Sequence, residues 1–123
     1  AVGTFLYAAP EQTGILKRPV DGRADLYALG AVLYECMTGR PPFITDDVAE
    51  LLRQHAAVVP KPVRDLNPQV SPGFAAIIER LLAKDPDDRY QSGAALSLDL
   101  DRLHELSARY ALASSVLLRT GEL

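Results

Sequence analysis

The chain has 123 residues, of which 48% are hydrophobic and 24% are charged, and its formal net charge is −3. Such a composition is typical of a folded domain, and the negative charge argues against nucleic acid or an anionic membrane as the main partner. No apolar run approaches the roughly 18 residues that a membrane-spanning helix needs. The single cysteine cannot form an internal disulfide, so we expect a reducing, cytoplasmic location.

The N-terminal part of the chain predicts a loop followed by a buried helix. Residues 1–24 show no sustained periodicity and hold several glycines and prolines, so we expect a loop with one helical turn after Pro10. Residues 25–38 are apolar on nearly every side, which predicts a buried helix with Cys36 in the core. Gly39 suits a left-handed cap, and the prolines after it prevent continuation of the helix.

A second, amphipathic helix is expected after Thr45. This threonine is the predicted N-cap, and Val48, Leu51 and Leu52 form the apolar face. Residues 58–72 contain four prolines, too many for regular structure. They therefore predict an extended connection over the surface.

Two further helices are expected in the C-terminal half. Ser71 is the predicted N-cap of the first, with Pro72 at its first position, and Asp85 and Pro86 end it. Its apolar residues recur at helical spacing: Phe74, Ile77, Ile78, Leu81 and Leu82. Ser92 is predicted to cap a last helix. No segment alternates with a period of two, so the sequence predicts an all-α fold.

Five short motifs occur in a fixed order along the chain. They are Gly3-Thr4, Ala9-Pro10-Glu11, residues 25–30 (DLYALG), residues 39–43 (GRPPF) and residues 84–89 (KDPDDR). Their order and spacing resemble the eukaryotic-like (bacterial-type) serine/threonine protein kinases, in the C-terminal part of the catalytic domain from the end of the activation segment onward. The resemblance implies the helical C-lobe of that fold, its last four or five helices, over residues 1–106. Residues 107–123 would form a helical tail or a linker to a further domain.

The resemblance assigns structural roles to three charged residues. The residues matching Glu11 and Arg89 form a shielded, bidentate ion pair that attaches the activation segment to the base of the lobe. The aspartate matching Asp25 accepts backbone N–H bonds from the catalytic loop. The alternative interpretations are two unrelated surface charges for the pair and a simple helix N-cap for Asp25.

The resemblance also implies a substrate-binding role for residues at the start of the chain. In similar kinases the threonine matching Thr4 bonds the catalytic aspartate, and Gly3 and Phe5 would flank the pocket for the substrate residue after the phospho-acceptor. This pattern favours serine or threonine as the acceptor. The alternative is that Thr4 belongs to an ordinary loop.

The remaining parts of a kinase active site are absent from this sequence. It has no glycine-rich loop, no phosphate-binding lysine motif, no catalytic-loop aspartate and no magnesium ligands. The resemblance therefore implies that an intact parent, with ATP and Mg²⁺ as cofactors, phosphorylates Ser/Thr hydroxyls of protein substrates. We expect this chain to lack a catalytic residue and a metal site of its own, and to need the N-terminal part of the domain as a partner. The alternative function is a non-catalytic helical protein-binding module, such as a pseudokinase remnant.

Overall fold

A computed structural model describes residues 2–120, and over this range the chain consists of helices and loops without a strand. The α-helices are α1 (Gly22–Thr38), α2 (Val48–Ala57), α3 (Val63–Leu66), α4 (Pro72–Leu81) and α5 (Gly93–Thr120). Short 3-10 turns span Val2–Phe5, Pro10–Gln12 and Pro86–Asp88. The predicted all-α class is confirmed for the described residues.

Helix α1 lies at the centre and packs most closely against α4. Its buried face includes Tyr27 and Tyr34, which join Ile78 in the main apolar cluster. The two helices touch at Gly30, where an added Cβ would lie only 2.6 Å from the Cβ of Leu81. Glycine is needed here because any side chain would push the helices apart.

The opposite face of α1 is exposed, which corrects the prediction of a helix buried all round. Leu29 is 39% exposed and Val32 is 44% exposed, and Cys36 is also exposed. The prediction that Cys36 lies in the core is therefore wrong. Apolar character predicts burial only where another segment covers the face, and no described residue covers this one.

The helix ends follow local capping, with two corrections to the predicted caps. Helix α1 begins at Gly22, because the Asp21 carboxylate accepts a hydrogen bond from the Arg23 N–H. Asp47, rather than Thr45, caps α2 by accepting from the Ala49 N–H at 3.0 Å.

Three other predicted helix ends are confirmed. Ser71 caps α4 by accepting from the Phe74 N–H, and the Ser92 hydroxyl accepts from the Ala95 N–H at the start of α5. Gly39 ends α1 with a φ of 84°, in the left-handed region.

Helix α3 interrupts the connection that was predicted to be extended. The five residues between Pro62 and Pro68 carry no proline, so they can form one helical turn. Val63 is completely buried, and its N–H donates to Oε2 of Glu79 on α4 at 3.0 Å. Tertiary packing of this side chain and this hydrogen bond stabilise a turn that the proline content concealed.

Helix α5 continues well beyond its contact with the rest of the molecule. Leu96 packs with Leu81 and Tyr90 in a second apolar cluster, and Leu103 is partly buried against it. From residue 104 nearly every side chain is exposed. Residues 107–120 remain helical, and residues 121–123 of the predicted tail lie outside the described residues.

Candidate functional site

A buried ion pair joins the first turns of the chain to the loop after α4. Arg89 Nη1 lies 2.7 Å from Glu11 Oε2, and Arg89 Nη2 lies 2.8 Å from Glu11 Oε1. The two residues are 78 positions apart in the chain, and both side chains are 0% exposed. This is the bidentate geometry that a planar guanidinium forms with a carboxylate.

The remaining N–H groups of the Arg89 guanidinium donate to backbone carbonyls. Nε donates to Ala83 O at 2.8 Å, Nη1 to Arg23 O at 3.1 Å and Nη2 to Lys84 O at 3.1 Å. With the two bonds to Glu11, all five N–H donors of the guanidinium have acceptors. The buried charge is thus fully hydrogen-bonded, which burial of an ion requires.

A second group of ion pairs surrounds this buried contact at the surface. Arg18 bonds Asp85 and Asp87, each at 2.9 Å, and Arg23 bonds Asp21 at 2.9 Å and Asp87 at 2.8 Å. Hydrogen bonds from Arg23 and then Arg18 lower the pKa of Asp87. The pairs connect the loop before α1 to the turn before Arg89, although exposed pairs of this kind stabilise a fold only weakly.

The three predicted substrate-binding residues, Gly3, Thr4 and Phe5, all lie within the Val2–Phe5 turn. Gly3 and Thr4 are exposed, and Phe5 is half-buried. Thr4 and Phe5 line a cavity of about 290 Å³ with Tyr7, Ala8 and Gln12. Thr4 and Phe5 thus line a small open pocket, whereas Gly3 is not among its lining residues.

Hydrogen bonds and burial hold the base of this segment in place. Ala9 is completely buried, and its N–H donates to Gln12 Oε1 at 2.8 Å. The Tyr7 hydroxyl donates to Glu35 Oε1 on α1 at 2.6 Å, and this hydrogen bond raises the pKa of Tyr7. The pocket thus lies on a segment attached to the helical body at Tyr7, Ala9 and Glu11.

Asp25 lies apart from the ion pair, on the exposed face of α1. It occupies the first turn of the helix, where the helix dipole favours a carboxylate. It is not the N-cap, because Asp21 holds that position. Within residues 2–120 the structure gives its side chain no hydrogen bond or ion pair.

His55 is the residue of this region whose role the sequence did not reveal. It is fully buried on α2, and this helix packs against the Val2–Phe5 turn. The Tyr27 hydroxyl lies 2.8 Å from its Nδ1. Burial and, secondarily, the charge of Lys84 lower the pKa of His55 to about 4. The only sequence signal was the i, i+4 spacing from Leu51, which is also buried.

Lys84 lies near His55 and is itself partly buried. Its Nζ donates to Gln54 O at 3.1 Å and lies 4.7 Å from the centroid of the Phe43 ring. Burial, and then the charge of Arg89, lower the pKa of Lys84 to about 8. The Lys84 ammonium thus interacts with a backbone carbonyl and an aromatic ring of the protein itself.

The described part of the chain does not fit a bound metal–nucleotide cofactor. No group of three or more His, Cys, Asp or Glu side chains between residues 2 and 120 could hold a metal ion. The pocket beside Thr4 has no charged residue among those that line it. Neither observation provides the grouped carboxylate and amide oxygens that hold Mg²⁺ on a nucleotide.

Comparison with known proteins identifies the family. The sequence model of the protein kinase domain matches residues 1–99. The chain belongs to the protein kinase domain family. This membership confirms the resemblance that the motifs indicated, and the helical C-lobe fold with it.

Bacterial serine/threonine kinases are among the relatives of this kinase-family chain. It is 43% identical over 104 residues to serine/threonine-protein kinase PknB of Mycolicibacterium smegmatis, covering 85% of this chain and 16% of the relative. It is 50% identical over 94 residues to a serine/threonine-protein kinase of Myxococcus xanthus, covering 76% and 13%. It is also 45% identical over 101 residues to hybrid signal transduction histidine kinase G of Dictyostelium discoideum, covering 82% and 3%. The chain thus spans about a sixth or less of these relatives.

No helix within residues 2–120 combines the length and apolar character needed to cross a membrane.

Proposed function

We propose that this chain is the acceptor-side part of a serine/threonine protein kinase domain. The intact domain would transfer the γ-phosphoryl group of ATP to Ser/Thr hydroxyls of protein substrates. Family membership supports a kinase-related function. The observation that carries the finer proposal is the buried Glu11–Arg89 pair. It attaches the segment that bears the pocket to the helical body, while Gly3 and Thr4 stay exposed.

In this proposal the Val2–Phe5 turn presents the acceptor residue of the substrate. The Thr4 hydroxyl would bond the catalytic aspartate, which comes from outside this chain. Gly3 and Phe5 would flank the pocket for the substrate residue that follows the acceptor. Because phosphoryl transfer depends mainly on positioning, a rigid turn at this point is what the reaction requires.

We propose that another part of the kinase domain covers the exposed face of α1. Asp25, Leu29, Val32 and Cys36 follow one another at intervals of four, three and four residues, which places them on one side of the helix. Burying the partly exposed leucine and valine would stabilise such a contact. In the same contact the Asp25 carboxylate would accept backbone N–H bonds from the catalytic loop.

ATP and Mg²⁺ would supply the transferred group and neutralise its charge in the intact domain. We propose that they bind residues outside this chain, because the described residues offer them no fitting donor set. On this basis the chain alone is expected to be inactive. We further propose that the kinase part ends near residue 106, that residues 107–123 form a tail, and that the protein acts in the cytoplasm.

The test is a phosphoryl-transfer assay on the full-length protein with peptides that differ only in a Ser, Thr or Tyr acceptor. We expect transfer to Ser and Thr and little to Tyr. Thr4→Ala should lower kcat by about 100-fold, the scale of lost positioning, whereas Thr4→Ser should retain most activity because it keeps the hydroxyl. Thr120→Ala is the matched control, since Thr120 is exposed at the far end of α5.

Two results would contradict the proposal. Equal activity of the wild type and Thr4→Ala would remove the assigned role of Thr4. Absence of both ATP binding and transfer in the full-length protein would instead favour the non-catalytic binding module.

A further inference from the structure

A second cavity lies between the end of α4 and the connection that follows α2. Its volume is about 220 Å³, and its apolar lining includes Tyr34, Val59 and Leu82. Tyr34 is 1% exposed and Leu82 is 3% exposed, whereas Val59 is 81% exposed. The cavity therefore has a buried inner wall and an open mouth. It shares no lining residue with the pocket beside Thr4.

Polar groups in the wall of this cavity already have partners within the protein. The Tyr34 hydroxyl donates to Lys61 O at 2.7 Å, and Glu79 Oε2 accepts from the Val63 N–H at 3.0 Å. An apolar wall of this kind holds water poorly and favours an apolar ligand. At about 30 Å³ for each group the size of a water molecule, the volume accommodates a chain of about six to eight carbon atoms.

The charged residues of the lining favour an anion. They are Lys61, Lys84 and Glu79, and the Glu79 carboxylate is bonded as described above. Lys84 forms no ion pair with a carboxylate of residues 2–120, and its hydrogen bond there goes to Gln54 O. An ammonium has three N–H donors, so Lys84 can donate to a further acceptor.

A bound carboxylate would supply the counter-charge that Lys84 lacks. Its pKa is lowered mainly by burial, and at about 8 the side chain still carries its positive charge near pH 7. A partly buried cation without an anionic partner is costly, and a carboxylate at hydrogen-bond distance offsets that cost.

We propose that this cavity binds a small aliphatic carboxylate, with its hydrocarbon chain against Tyr34 and Leu82 and its carboxylate at Lys84 and Lys61. The ligand is an aliphatic monocarboxylic acid of about six to eight carbon atoms. This site goes beyond the proposed function and does not depend on phosphoryl transfer.

The cavity stays accessible in the larger kinase domain that we propose. Tyr34 is two positions from both Val32 and Cys36, and at about 100° for each residue it lies on the opposite side of α1 from them. The face that we propose to be covered is therefore turned away from the cavity. Val59 and Lys61 are exposed at the mouth.

The test is isothermal titration calorimetry of the full-length protein with octanoate. Two other ligands of the same chain length, 1-octanol and octylammonium, separate the contribution of the carboxylate from that of the chain. We expect octanoate to bind and 1-octanol to bind at least about tenfold more weakly, the factor for one lost charge-assisted hydrogen bond. Octylammonium should not bind, because its charge has the same sign as the two lysines.

Variants locate the binding at the cavity. Lys84→Met keeps an apolar stem and should raise the Kd for octanoate about tenfold, whereas Lys17→Met, at an exposed lysine outside the cavity, should not. Val59→Glu places a negative charge at the mouth and should also raise the Kd about tenfold. Because Val59 is exposed, this change leaves the fold intact even if Lys84→Met unfolds the protein. Val116→Glu on α5 is its control, since Val116 is 42% exposed.

Three results would overturn the proposal. They are no binding at about 1 mM octanoate, equal Kd values for octanoate and 1-octanol, and an unchanged Kd for octanoate in Val59→Glu or in folded Lys84→Met. Circular dichroism checks that each variant is folded. A kinase assay is not part of this test, so a failure of the proposed function and a failure of the carboxylate site are distinguishable.

Discussion

Replacing Arg89 by alanine should be among the most damaging single changes in this chain. It would leave the Glu11 carboxylate, whose side chain is 0% exposed, buried without its partner. It would also remove the hydrogen bonds that the carbonyls of Ala83, Arg23 and Lys84 accept. Breaking a buried pair costs about 3–5 kcal/mol. We expect a loss near the upper end, because three backbone acceptors lose their donor together.

The assay is urea unfolding of the full-length protein and its variants, followed by circular dichroism at 222 nm. Arg102→Ala is the control, because Arg102 is 65% exposed and lies 3.7 Å from Asp99 at the surface. That change should alter the free energy of unfolding by less than about 0.5 kcal/mol. Arg89→Lys should remain strongly destabilising, since an ammonium cannot form the bidentate contact.

A double variant separates the ion pair from general damage to the core. Glu11→Leu combined with Arg89→Met removes both charges, so it should recover part of the stability lost in Arg89→Ala. Two results would contradict this account of the ion pair. One is a loss in the free energy of unfolding for Arg89→Ala no larger than the loss for Arg102→Ala. The other is a double-mutant cycle in which adding Glu11→Leu to Arg89→Ala recovers no stability.

Three further predictions follow from the packing and exposure of other residues. Gly30→Ala should destabilise by about 1–3 kcal/mol, because its Cβ would meet Leu81 Cβ at 2.6 Å. Gly22→Ala, with open space around it, should stabilise by about 0.5–1 kcal/mol in the same urea assay. A Gly30→Ala variant more stable than Gly22→Ala would contradict the close contact at Gly30. The free energy of unfolding should fall as the pH drops from 6.5 to about 4, because the unfolded chain binds a proton that buried His55 does not. Urea titrations across this range should show a shallower slope for His55→Phe, and equal slopes would refute the assignment. Cys36 is exposed and should react rapidly with a thiol reagent in a polypeptide of residues 1–123. It should react slowly in the full-length protein, where we propose that α1 is covered; equal rates would argue against that contact.

Features that depend on near neighbours in the chain were predictable from the sequence. Ser71 and Ser92 cap helices because a cap needs only a hydroxyl and an N–H three residues later. Gly39 ends α1 for an equally local reason, its positive φ. The motif order indicated the family, and the Glu11–Arg89 contact was expected only through that resemblance, because nothing local connects residues 78 positions apart.

Tertiary structure alone decided which apolar and polar side chains are covered. Cys36 and Val32 look like core residues in the sequence but lie on an exposed face, whereas His55, for which the sequence allowed either a solvated or a packed side chain, is fully buried. Helix α3 forms between prolines because the Val63 side chain is buried and its N–H donates a hydrogen bond to the Glu79 carboxylate. Burial depends on which distant segments pack against a face, and that information lies in the fold rather than in the periodicity of any one helix.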